Sequence, residues 1–124
     1  MAKVIIKYKI SSKKENVIKD KTKGIKKDNI ITYKEDETTV SILLEKGIIS
    51  IERENDKMHL NLKFEENKSY VTDYLIKDLG FNFKVDTRTK KLMISENKIS
   101  ILYELYINGE YSDSFNFNLE WRDL

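Results

Sequence analysis

Arg53 is the side chain of this sequence whose type and position most invite a chemical role. It ends the stretch "IISIER", residues 48 to 53. Counting by twos puts Ile49, Ile51 and Arg53 on one side and Ile48, Ser50 and Glu52 on the other. Successive side chains of a strand point to opposite faces, and the apolar parity of the neighbouring positions makes the first set the inner one. A guanidinium at the inner end of a strand must find partners or reach water, because an unpaired buried charge is strongly unfavourable. Tyr74, Thr87 and Tyr103 fall on the inner faces of their own segments by the same counting, and each brings an oxygen. Two uses are open to such a group. It can orient an anionic head group in a cavity, or it can form a satisfied plug at one end of the fold. The plug is the favoured reading.

The remaining candidates for chemistry are few. His59 is the single histidine and alternates with Met58, Leu60 and Leu62, which points it to solvent. With one histidine and no cysteine, neither a histidine-activated nucleophile nor a nitrogen and sulfur metal site has a credible ligand set. The acidic pairs Asp36-Glu37, Glu54/Asp56 and Glu65-Glu66 lie in turns without the spacing of a calcium loop. The four glycines are too far apart to cradle a phosphate. The expectation is a protein that is not an enzyme and carries no metal or cofactor.

The segments that must hold these side chains read as strands. In "ISILYELYINGEYSDSFNFNLEW", residues 99 to 121, the odd positions 99 to 107 are all apolar or aromatic. Positions 111 to 121 taken in twos are apolar or aromatic except Asp113, and their partners are all polar. A helical stripe through Ile99, Leu102, Tyr103 and Tyr106 competes, but Asn108-Gly109 tolerates the positive φ values of a tight hairpin turn. The stretch is therefore a hairpin. The same test gives strands near 2–10, 15–26, 29–35, 40–44, 48–53, 58–64, 70–74, 81–87 and 91–95. In the segment 69–80 a helical stripe through Val71, Tyr74, Leu75 and Leu79 stands beside the strand pattern and leaves both open.

No connection is long enough for a parallel crossover unit. The chain thus reads as an all-β, up-and-down antiparallel meander of about ten strands. Closing it into a barrel of about 8–10 strands removes the exposed edges that an open sheet would present. At 124 residues it is one domain with enough interior for a core. No run of apolar residues reaches membrane-spanning length, and the start lacks a secretory pattern. The absence of cysteine makes the cytoplasm the default setting. The net charge of +2 is unevenly distributed. Residues 1–35 carry eleven lysines against four acids, and the remainder is net acidic. A basic half can attract nucleic acid. Yet Tyr8 shares the face of Val4 and Ile6, so Lys3, Lys7 and Lys9 stand alone outside, without aromatic stacking partners.

In its order of features, from "TTVSILLEKGIISIER" through "MHLNLKFEENKSYVTDY", "VDTRTKKL" and "KISILYELYINGEY", the sequence resembles the YwiB-like proteins. These form a small bacterial family of unknown function described as calycin-like (lipocalin-like) β-barrels. Arg53, Phe64, Tyr74, Thr87 and Tyr103 carry the resemblance. It implies the fold and, by analogy, an interior able to take something apolar; it brings no activity. The resulting expectation is a cytoplasmic, non-enzymatic barrel. It binds a small, largely apolar or amphipathic ligand, one with a carboxylate end in the head-group reading, near Arg53, Tyr74, Thr87 and Tyr103. The alternative is an interaction or RNA-associated module using the basic N-terminal strands.

Overall fold

A computed structural model describes residues 1–124. It contains ten antiparallel strands and no helix. They are β1 (Ala2–Ser11), β2 (Asn16–Lys27), β3 (Ile30–Glu35), β4 (Thr38–Glu45), β5 (Ile48–Glu54), β6 (Met58–Glu65), β7 (Ser69–Ile76), β8 (Phe81–Ser95), β9 (Lys98–Ile107) and β10 (Glu110–Asp123). Each strand pairs with the next, and β1 closes on β10 from Val4↔Asp123 to Ser11↔Asn116. The result is the closed up-and-down barrel that the alternating pattern predicts. No helix is long and apolar enough to cross a membrane.

The turns follow from residues that accept positive φ. Asn108 (φ 49°) and Gly109 (φ 85°) make the β9–β10 turn, as the type I′ signature requires. Asp28, Asp36, Asn67 and Asn97 take the same left-handed region at other hairpins, where short polar side chains are tolerated best.

Residues 69–80 resolve as strand β7 to Ile76 followed by a turn. The segments near 81–87 and 91–95 are one continuous strand, β8. A register shift between Thr89 and Lys91 reverses the inward parity, which is why the sequence pattern there looks broken. A second shift, between Tyr111 and Asp113, turns Tyr111 outward and leaves Asp113 buried.

Ten strands enclose more space than the roughly eight whose interior side chains alone can fill. The two ends of this barrel deal with that differently. At the end holding both termini, Ile6, Ile31, Ile42, Ile49, Phe64, Ile99, Ile101 and Leu119 are fully buried and in one cluster, with Val4 and Trp121. Two local devices close that end. Gly24 lies where an added Cβ would sit 2.6 Å from the Ile6 Cδ1 and 2.8 Å from the Thr32 carbonyl oxygen. Glycine thus allows β2 to pack closely against β1 and β3. The β6–β7 ladder has only three pairs, Met58–Leu60 with Ile76–Tyr74. Beyond them the β6 carbonyls of Asn61 and Lys63 accept hydrogen bonds from the hydroxyls of Thr72 and Thr87. Side chains therefore satisfy backbone groups where the ladder opens.

A cavity at the open end of the barrel

Toward the other end the inward side chains no longer fill the interior. The last inward residues of β1, β3, β5 and β9, and the first of β2, β4, β6 and β10, enclose a cavity of about 330 Å³. Twelve of its fifteen lining residues are apolar or aromatic. Aromatic rings form much of the wall. The Tyr8 ring centroid lies 5.6 Å from that of Tyr33 and 6.3 Å from that of Phe117, and Tyr103 stacks on Phe115 at 5.3 Å. Phe64, 4.6 Å from Tyr103, joins this wall to the packed half.

Three charged residues, Glu15, Glu35 and Arg53, also line the cavity. Arg53 Nη1 donates to Glu35 Oε1 at 2.8 Å, and the two side chains are 35% and 26% exposed. The guanidinium is thus partnered and also reaches solvent. Tyr8, Tyr33 and Tyr103 all have their phenol pKa raised above the ordinary value, first by burial. At Tyr8 and Tyr33 the Glu35 carboxylate adds to this. All three therefore remain protonated donors at neutral pH.

The expected site residues separate into two groups. Arg53 and Tyr103 come together at the cavity. Thr87 faces inward and is fully buried, but its hydroxyl donates to the Lys63 carbonyl at 2.5 Å, so it serves the wall rather than the interior. Tyr74 lies opposite Leu60 and Phe83. It sits one strand beyond the cavity wall, with its ring 6.1 Å from Phe83. Sequence reasoning missed Glu35, Tyr8, Tyr33, Phe115 and Phe117. A signal for Glu35 existed: Ile31, Tyr33 and Glu35 alternate just as Ile49, Ile51 and Arg53 do, with a charge at the inner end. His59 faces outward as expected and meets Glu52 at 2.8 Å across β5 and β6.

The β1–β2 turn borders the open end through Glu15. Asp113 is 97% covered from solvent. Burial pushes its carboxyl up, but the Ser12 hydroxyl, the backbone N–H groups of Ser114 and Lys13, and the Lys14 charge outweigh that. The group ends below its usual range. Lys14 Nζ also donates to the Ser112 carbonyl at 3.2 Å. This side of the cavity mouth is thereby tied to β10.

Comparison with known proteins places the architecture. The crystal structure of the ywiB protein from Bacillus subtilis matches with a TM-score of 0.67 over 98% of this chain and 90% of that one. At 17% identity the likeness establishes the fold alone. No curated protein matches the chain. The model of the family described as "Domain of unknown function (DUF1934)" matches residues 4–119, nearly the whole barrel, and the chain belongs to that family.

Proposed function

We propose that this barrel is a non-catalytic binding protein that takes a small, largely apolar ligand into its open half. The observation that carries this reading is the unfilled interior. Its volume of about 330 Å³ falls within the range of small-molecule sites, and its walls have their composition, apolar and aromatic with a few polar groups. The packed half supports the fold, so the open half is free to serve a ligand. The outer face carries Lys3, Lys7 and Lys9 exposed while the inner face is apolar. This is the reverse of a membrane-spanning barrel, and a cytoplasmic setting belongs to the reading.

Native mass spectrometry of the protein taken directly from cells tests it. A small organic adduct on the folded protein, released on unfolding, is the expected result. A bare protein that also takes up no neutral apolar fluorophore would overturn the proposal.

A second reading draws on one specific observation. None of the eleven lysines in residues 1–35 takes part in an ion pair, which leaves an uncompensated basic surface on the first strands. An anionic polymer held there would bind with a steep salt dependence, weakened by charge reversal at Lys3, Lys7 and Lys9. Absent or salt-independent binding disposes of that reading.

A further inference from the structure

The polar groups of the cavity bear on what kind of ligand fits, given the binding reading above. Its one cation already has a carboxylate partner. Arg53 holds Glu35 at 2.8 Å, and Glu15 adds a further negative charge at the wall. Arg53 spends one Nη1 donor on Glu35, so a carboxylate entering the cavity must share the guanidinium with Glu35 and lie beside two acids. An ammonium meets the guanidinium instead. Inside the cavity neither sign of charge finds an open counter-ion, since the one unpaired charge, Glu15, is exposed at the mouth, and desolvating an ion without a partner is strongly disfavoured.

One tyrosine hydroxyl of the wall is both unpartnered and sealed from solvent. Tyr8 is 4% exposed and lines the cavity, and its hydroxyl has no hydrogen-bond partner within the protein. Beyond burial, Glu35 raises its pKa through its charge and as a hydrogen-bonding side chain near the phenol, yet neither of its oxygens meets the hydroxyl in full hydrogen-bond geometry. A buried donor left unmet is unfavourable, and a ligand acceptor placed against it recovers that loss. The phenol can only donate to such a group, because burial and the nearby carboxylate both oppose its ionisation.

We propose that the ligand is uncharged and carries one hydrogen-bond-accepting oxygen, which the Tyr8 hydroxyl holds, while its apolar remainder packs on Ile51, Leu62 and Phe117. The carboxylate end expected from Arg53 alone is thereby replaced, because Arg53 arrives with its own carboxylate.

The test uses N-phenyl-1-naphthylamine, a neutral fluorophore without oxygen, displaced at pH 7 by 2-octanone, octanoate or octylammonium, in the wild type and in Tyr8→Phe. The expected result is that the ketone displaces at the lowest concentration and weakens about tenfold in Tyr8→Phe, the loss of one hydrogen bond. Ketone affinities are corrected for the fluorophore's own affinity in each protein. A tighter octanoate or octylammonium, or an unchanged ketone affinity in the variant, overturns this inference while leaving the cavity reading intact. Failure of the fluorophore to bind either protein overturns both. Urea unfolding of ligand-free Tyr8→Phe supplies an independent readout. A midpoint equal to or above the wild type agrees with an unmet hydroxyl, and a clear fall shows that the hydroxyl already has a partner and overturns the inference.

Discussion

Ile49 and Ile51 offer a direct comparison of the two halves of the barrel. They are the same residue on the same face of β5, two positions apart. Both belong to the buried cluster, but Ile49 is fully buried away from the cavity, whereas Ile51 lines it. Replacing either with phenylalanine adds three carbons, and phenylalanine suits a strand as well as isoleucine does. At Ile49 there is no room, so the overpacking should cost about 1–3 kcal/mol. At Ile51 the ring can turn into open space. Three more buried carbons at about 0.8 kcal/mol each set an upper bound near 2.4 kcal/mol. Ordering the ring and imperfect contact reduce this to a gain of roughly 0–1.5 kcal/mol. The two variants should thus differ by about 1–4.5 kcal/mol, centred at about 2.5–3. Urea unfolding followed by Trp121, the single tryptophan and itself buried in the packed half, reads the difference. With slopes of about 1–3 kcal/mol per molar urea, the midpoints should separate by roughly 1–2 M. Ile51→Phe should also weaken uptake of an apolar fluorophore, since it occupies the space. Equal destabilisation by the two substitutions would refute the claim that one half is hollow.

Thr87→Val should cost about 1–3 kcal/mol, because it removes the donor from the buried Lys63 carbonyl. Hydrogen exchange should accelerate in β6 and β7, with ligand affinity unchanged. Gly24→Ala should destabilise by about 1–3 kcal/mol, since the new methyl meets the Thr32 carbonyl as well as Ile6; thermal unfolding measures it. Asp113 has its pKa lowered in the fold, so it stabilises above the unfolded carboxylate value of about 4. That stabilisation is lost as pH falls through the depressed folded value. A melting-temperature profile from pH 7 to pH 2 should therefore fall on its acid side, and Asp113→Asn should flatten that fall while lowering the plateau.

The sequence displays the alternation that decides inside from outside, and it held where strands run without interruption. Ile49, Ile51 and Arg53 face inward, and Asn108-Gly109 turns where its φ preference says it must. It misled where one extra residue enters a strand. The shift at Thr89/Lys91 made one strand look like two, and the shift at Tyr111/Asp113 separated two residues that counting by twos had put together. Such shifts depend on the curvature of the closed sheet, and local residue types carry little trace of them. The pairing of Arg53 with Glu35 was out of reach for a different reason. It crosses β4, so it requires the registers of β3 with β4 and of β4 with β5 together. The cavity was the least legible feature. Alternation identifies which side chains point inward but not whether they touch, and that depends on the width to which ten strands close.

Diffraction from crystals pressurised with xenon tests the central claim most directly, because an apolar cavity takes up the gas while a filled core does not. The account predicts a xenon atom inside the barrel, bounded by Ile51, Leu62, Tyr103 and Phe117, with none between Ile6, Ile42 and Ile99. Tyr33 and Phe117 collapsed together, with no xenon inside, would contradict it.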